Sequence, residues 1–584
     1  MATNNRMSGD SIPTFQAPES DYCDTFTFYA DLTSTLEGFA RYQRREPFGT
    51  FLTGGLGAPG AARPIRRAEV RVTNAAGATI QCGETDNTGF YSLVVPRNAG
   101  ALTVTVYARG LSNLVKAAVY DDPRYNNTYS ISGSVTTSTP IHTLPDMLAS
   151  ATGNVYGGAF NIFDQMVEAN DYLRSKVSNC SGTFASCPNF SVAPRVTAYW
   201  KLGFNPAEYY GNNSGISYYI PGYYRLFILG GIDGDYNSSD TDHFDNSVIL
   251  HEYGHFLEDA LFTSDSPGGS HNGNKVIDPR LAWSEGWGNF FQAAVRNDPT
   301  YIDTEGNTDG STSYLFLVNL EDQTRDIPTS TYINEIGGSF SATGEGNFRE
   351  FSVTRLLWDA VDGTATESNG SGNFNDNITD RFIELYHSLS SASGWLKTSV
   401  AFRQIGLMHQ FQSTLSTTSW ANLRGLERHT ASTADYAQYV SVGSSCVSFT
   451  LIPADVAGDT GSYSTSHLFV NNDFYYLKVP STTTANIVLT YHDADDAGVD
   501  ADLDLFIYNE MGRFGNSADI VAQSMKEPAQ DPTRTKTEGV NTTLSSGNYL
   551  INVMAFTGSA GGIGGATNYS LTFNGSQLCP ASLP

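Results

Sequence analysis

The sequence predicts a multidomain protein: an N-terminal β-sandwich, a central α+β, mainly helical domain, and a second β-sandwich at the C-terminus. Three observations carry that expectation. The chain has 584 residues, more than a single hydrophobic core organises, so two or more domains follow. Alternation of apolar and polar residues with period two runs through both ends of the chain. Between the ends, apolar residues recur at helical spacing. The expected boundaries are 1–20 for a disordered, tag-like start, 21–145 for the first sandwich, 146–445 for the central domain and 446–584 for the second sandwich.

Composition and charge narrow the function classes. The chain is 40% apolar and 16% charged, a balance that builds packed cores. Its 33 basic and 60 acidic residues leave a formal charge of −27. Such a chain repels phosphate backbones, which argues against nucleic acid as a partner. No apolar run is long enough to cross a bilayer, so no transmembrane segment is expected. The opening "MATNNRMSGDSIPT" lacks the basic and apolar segments of a signal peptide. That leaves a cytosolic protein or one whose leader is not part of this sequence. Scarce lysine and abundant Gly, Ser, Thr, Asn and Tyr favour the second, a secreted bacterial protein. Nothing indicates assembly, and a monomer is expected.

The six cysteines, Cys23, Cys82, Cys180, Cys187, Cys446 and Cys579, form no CxxC pair. A cysteine zinc ribbon or thioredoxin-type site is therefore disfavoured. Sequence position suggests disulfides Cys23–Cys82, Cys180–Cys187 and Cys446–Cys579, each within one domain, which favours an extracytoplasmic home.

In the first domain, "RRAEVRVTNAAG", "GFYSLVVPRNAG" and "ALTVTVYARG" alternate as strands, broken by Gly and Asn turn signals. The run "AEVRVTNAAGATIQCGETDNTGFYSLVVP" resembles carboxypeptidase-regulatory-like modules. Their pattern is a V-x-V strand, then T-D-x-x-G-x-Y, then a strand ending in Pro. The resemblance implies an immunoglobulin-like sandwich.

The pattern changes near residue 150. "GGAFNIFDQMVEANDYLRSKV" has helical apolar spacing, and so do "DNSVILHEYGHFLEDALF", "PRLAWSEGWGNFFQAAVRND", "FREFSVTRLLWDAVDG", "ITDRFIELYHSLS" and "WLKTSVAFRQIGLMHQFQ". A strand, "YYRLFILGG", precedes the second of these. From 447 onward "DFYYLKVP", "TANIVLTYHD", "ADLDLFIYNE", "GNYLINVMAF" and "NYSLTF" again read as strands. The D-x-D-L-x-x-Y stretch followed by "LSSGNYLINV" resembles the pre-peptidase C-terminal (PPC) domain. That resemblance implies a jelly-roll-like sandwich, secretion and an accessory role.

The chemistry concentrates in "HEYGH". On a helix, His251 and His255 lie on one face and can present two imidazoles to one metal ion. Glu252 follows the first of them, placed to reach a metal-bound water without ligating the metal. Asp245 or Asn246 can cap this helix. A third ligand is needed. Glu258 and Leu261 occupy the positions where a metzincin carries Gly and His, which excludes that class. Asp259 is close enough to hydrogen-bond a ligand but too close on the same helix to complete a tetrahedron. His271 is an outside candidate. Glu285, in "DPRLAWSEGWGNFFQ", is the strongest: Asp278 can cap its helix and Pro279 suits the first helical position. Two imidazoles and one carboxylate leave a fourth position for water, the arrangement of a catalytic zinc.

"HEYGH … SEGWGNFF" is similar to the fungalysin-type pattern HEYxH … GEGWSDFF, within the thermolysin-like gluzincin peptidases. The resemblance implies a zincin fold, zinc held by His251, His255 and Glu285, and Glu252 as the base. The family carries Asp four residues after its ligand Glu, bonded to a ligand histidine; this chain has Asn289, a neutral stand-in that can still orient an imidazole. A Tyr or His should stabilise the oxyanion, with candidates His271, Tyr332, Tyr386, His387 and His409. "YYRLFILGG" would be the edge strand that pairs with substrate.

A run of aspartates precedes the metal helix: Asp233, Asp235, Asp240, Asp242 and Asp245. It offers oxygen ligands for calcium without the EF-hand pattern. A second acidic run, 492–504, offers the same. The expected function is a secreted zinc metalloendopeptidase acting on protein or peptide substrates. The alternatives are another zinc hydrolase on this scaffold, or a surface adhesion protein with a degenerate peptidase core.

Overall fold

The structure is a computed structural model. It describes residues 23, 27–29, 32–50, 52–110, 114–177, 193–210, 215–262, 264–271, 273, 277–306, 314–320, 346–362, 378–390, 411–425, 438–443, 446, 449–451, 472–492, 502–526, 535–555 and 567–581. The protein is multidomain and strand-rich, with few helices. Its residues gather into two compact units, one of 1–261 with 291–318, the other of 262–290 with 319–584. Among the described residues no helix is long and apolar enough to cross a membrane.

The first unit begins with strand Thr33–Tyr42, in which every second residue is buried. That strand pairs antiparallel with Phe90–Pro96 and parallel with Ile141–Thr143 and Met147–Ala149. A second, antiparallel sheet runs Ser130–Thr136, Ala101–Tyr107, Glu69–Asn74, Thr79–Glu84. The alternating strands turn Leu36, Val70, Val72, Leu93, Val104 and Val106 inward, the pattern of sheets with one wet face. Cys23 and Cys82 are bridged, as their positions suggested.

A mixed sheet follows, in the order Tyr218–Ile220, Arg225–Phe227, Val196–Tyr199, Ala117–Tyr120, Arg109–Gly110. Its aromatic core joins Tyr120, Tyr199, Phe204, Tyr218 and Phe227. Helices α1 (Tyr156–Val177) and α3 (Asn246–Leu261) pack on it, with the single turn α2 (Ala207–Tyr210) between them in sequence. The edge-strand expectation is corrected here. Arg225–Phe227 is flanked on both sides, parallel to Val196–Tyr199 and antiparallel to Tyr218–Ile220. The preceding "SYYIP" supplies the outer strand, and a three-residue strand is too short to read as alternation.

The second unit holds α4 (Pro279–Arg296) through Phe290, then α5 (Glu350–Asp359), α6 (Phe382–Ser390) and α7 (Thr417–Gly425). "WLKTSVAFRQIGLMHQFQ" lies almost wholly outside the described residues. A ten-stranded sheet forms the rest of the unit, from Ile520–Ser524 at one end to Thr535–Leu544 at the other. The ends approach each other, and Ser524 donates its hydroxyl to Glu538 across them. The sheet is thus nearly closed around Leu477, Ile487, Leu489, Leu505, Ile507, Ile551 and Val553, which fits the expected C-terminal sandwich. Cys446 and Cys579 are bridged; Cys180 and Cys187 lie outside the described residues.

Candidate metal centre

Helix α3 is buried from Ser247 to Glu258. Val248, Ile249, Leu250, Phe256 and Leu257 seat it in an apolar surround, and its first turn hangs from the Asp245 carbonyl, which accepts from Ile249 N–H at 3.0 Å. Burying histidines and glutamates in such a place is costly unless they are satisfied. His251 and His255 meet there, with their Nε2 atoms 3.0 Å apart and their rings nearly perpendicular at 85°. On the far side of the His255 ring, Nδ1 lies 3.7 Å from Glu258 Oε2. Glu252 is fully buried beside them. Asp259, weighed as a partner for a ligand, is instead committed elsewhere: it accepts from Tyr219 O–H at 2.7 Å and Gly222 N–H at 2.6 Å.

Helix α4 starts as its sequence predicts. Asp278 caps it, accepting from Arg280 N–H at 2.9 Å, and Pro279 takes the first position. Glu285, 0% exposed, follows within two turns. His271 Nε2 lies 3.4 Å from Glu285 Oε2, while its Nδ1 lies 2.8 Å from Glu350 Oε2. Asn289 donates from Nδ2 to Glu350 Oε1 at 2.7 Å. Burial alone would lower the His271 pKa, but the Glu285 and Glu350 carboxylates outweigh it and push it up to about 9.

Among the described residues, two groups of side chains offer one ligand atom each within 4.8 Å of one another: His251, His255 and Glu285, and Asp240, Asp242 and Asp303. The first is a nitrogen and oxygen donor set of the kind that suits zinc. The second is all oxygen, which suits a hard cation such as calcium. Burial, then the charge of Asp303, pushes Asp242 up to about 7. Asp303 lies far along the chain in "YIDTEG", and nothing in that stretch marks it as a ligand. Asp245 leaves the group to accept from Thr304 N–H at 2.8 Å. Asp235 folds back on its own turn, accepting from Asn237 N–H at 2.9 Å, and Asp233 sits in the same turn with φ of 53°.

The oxyanion candidates separate by surroundings. Tyr386 packs edge-on to Phe262 at 5.7 Å and stacks with Phe382 at 6.4 Å, the contacts of a core aromatic. His387 lies beside it on α6 with a part-exposed ring. Tyr332 and His409 are outside the described residues, as is most of the second acidic run. Sequence reasoning missed Glu350. Its only signal is an acidic residue opening a helix, which ordinarily marks a solvated first turn.

Residues 193–409 match the family described as Mycolysin C-terminal domain. That span contains α3, α4, α5 and α6, and the match points to a thermolysin-like metallopeptidase. Comparison with curated proteins found no match. Similar solved structures include the pre-peptidase C-terminal domain of a collagenase from Bacillus anthracis, at 13% identity over 23% of this chain and 94% of that one, TM-score 0.14. Another is a family 35 carbohydrate binding module from an environmental isolate, at 18% identity over 25% and 98%, TM-score 0.15. Superpositions that loose carry no argument about function.

Proposed function

We propose that this chain is a secreted zinc-dependent metalloendopeptidase whose zincin-type domain spans the helices around "HEYGH". The observation that carries the proposal is the buried pair of imidazoles on α3 with a carboxylate, Glu285, offering a third donor. His251, His255 and Glu285 hold the ion. A zinc ion so bound supplies a Lewis acid and a water of lowered pKa. Glu252, buried next to His251, takes a proton from the attacking water and passes it to the leaving nitrogen. His271, the oxyanion candidate nearest this chemistry, has one ring nitrogen 3.4 Å from Glu285 and the other 2.8 Å from Glu350, so it orients a ligand and leaves no donor for an oxyanion. Asn289, one turn beyond Glu285, supports the site from α4. Calcium at Asp240, Asp242 and Asp303 belongs to the same proposal, supported by their oxygen-only donor set. Two described disulfides support an extracellular setting.

The test is metal analysis of the full chain paired with digestion of a proteome-derived peptide library. Stoichiometric zinc with internal cleavages is the expected result. Glu252→Gln should keep the zinc and lose about 10²–10⁴-fold in rate, the range of general acid–base catalysis. Zinc bound without any cleavage by the wild type would sink the peptidase reading and favour an adhesion role.

A further inference from the structure

Glu350 is a carboxylate only 3% exposed, at the first position of α5, and each of its oxygens has its own partner. Oε2 is 2.8 Å from His271 Nδ1 and Oε1 accepts from Asn289 Nδ2 at 2.7 Å. Both partners flank Glu285: Asn289 follows it one helical turn later on α4, and His271 presents Nε2 3.4 Å from its Oε2. One carboxylate therefore holds the histidine that faces the Glu285 side chain and, through Asn289, the helical turn that follows it.

The position of Glu350 is tightly determined. A Cβ on Gly286 would sit 2.7 Å from Val353 and 2.9 Å from the Glu350 carbonyl oxygen, so α5 presses directly on α4 beside Glu285. A Cβ on Gly273 would fall 2.0 Å from the Phe351 ring, and Phe351 N–H donates to the Gly273 carbonyl at 3.3 Å. The loop carrying His271 is thus held to the same helix. Thr354 Oγ1 reaches both the Glu350 carbonyl, at 3.0 Å, and the Gly286 carbonyl, at 3.3 Å.

We propose that Glu350 is a positioning residue for the metal ligand Glu285: it fixes His271 so that Nε2–H faces Glu285 Oε2, leaving the other oxygen of Glu285 to the metal. The inference rests on the zinc reading above. A free glutamate side chain samples several rotamers and can turn either oxygen to an ion. A histidine clamped by a second carboxylate removes that freedom before the ion arrives. Partners of this kind behind ligands are worth about 10–100-fold in metal affinity.

The experiment uses the full chain and reads zinc affinity by chelator competition, with far-UV circular dichroism, thermal midpoint, kcat and KM on a peptide substrate alongside. Glu350→Gln keeps the size and loses the charge. It should stay folded, bind zinc about 10–100-fold more weakly, and lose kcat at saturating zinc with KM held within about two-fold. Glu350→Asp retains the charge and should recover part of the affinity. Glu350→Ala is a harsher variant, and if it does not fold, the Gln and Asp variants still give the answer. A Glu350→Gln protein that binds zinc as tightly as wild type, with only a lower melting point, would overturn the inference and leave the zinc reading intact. A wild type that binds no zinc would overturn both.

Discussion

Helices α3 and α4 carry the two parts of the proposed ligand set, and they are held by opposite means. Along the middle of α3 the contacts are mainly apolar and aromatic: Ile249 and Leu250 are fully buried, and Phe256 meets Tyr219 and Tyr224 at 6.1 and 5.5 Å, with polar bonds to Ser247 and Asp259 toward its ends. At α4 the start of the helix is held by charge. Arg280, 2% exposed, pairs with Asp278 and donates to the carbonyls of Glu510 at 2.6 Å and Gly512 at 2.8 Å. Asp278 Oδ2, which pairs with Arg280, also accepts from Phe514 N–H at 2.8 Å. Apolar packing is non-directional and tolerates repacking. A buried ion pair with its hydrogen bonds is directional and fails abruptly when one partner is lost. The C-terminal sandwich, expected from sequence to be accessory, supplies residues 510–514 to this brace.

The largest expected effect follows from that contrast. Asp278→Asn keeps the shape and removes the charge, leaving Arg280 buried without its counterion. It should cost on the order of 3–5 kcal/mol in the unfolding transition that includes the second unit. Arg280→Met, which removes the other partner, should cost a comparable amount. A denaturant midpoint unchanged in both variants would break the comparison, because α4 would then be held by its apolar face after all.

The same contrast explains which parts were legible in the sequence. Helix α3 was readable because apolar periodicity and the His-Glu-x-x-His spacing are both local. The start of α4 was readable because Asp278 and Pro279 are adjacent to the helix they begin. The two described disulfides, which join cysteines 59 and 133 residues apart, followed from pairing successive cysteines within one expected domain, which needs no local pattern. The polar braces were not readable: Glu350 lies 61 residues from Asn289 and 79 from His271, and Arg280 reaches carbonyls 230 and 232 residues away. Nothing in a local pattern marks such partners. Asp303 was missed for the same reason, since its partners Asp240 and Asp242 lie in another loop. The substrate-edge expectation failed because it rested on a layout rather than on the pairing of a three-residue strand.

An intermediate effect is expected at the acidic group ahead of α3. Asp242 is 3% exposed and pushed from 3.8 to about 7. Its folded pKa lies above its unfolded one, so in metal-free buffer its contribution is full below about pH 4 and is lost as pH rises through about 7. Calcium would favour the ionised form and oppose that loss, adding about 2.7 kcal/mol at a hundred times its dissociation constant. Melting curves across this pH range, with and without added calcium, check both statements. Asp242→Asn should reduce the metal-free slope, to which the raised Asp240 and Asp245 also contribute, and abolish the response to calcium. A wild-type melting point indifferent to calcium would restrict the metal chemistry to the histidine site.

The smallest effect probes the apolar side. Ile249 is 0% exposed on α3, two residues before His251. Ile249→Leu conserves volume but moves a methyl group, and such swaps in a repackable core cost less than about 1.5 kcal/mol. Zinc affinity should stay within about two-fold of wild type, because the metal-facing histidines keep their helical face. The informative comparison is with Asp278→Asn, which also preserves shape. If both substitutions cost the same, polar and apolar bracing are equivalent in this protein. If Ile249→Leu is mild on stability yet weakens zinc, then the helix transmits small displacements to its imidazoles, and the apolar surround is itself part of how the ligands are aimed.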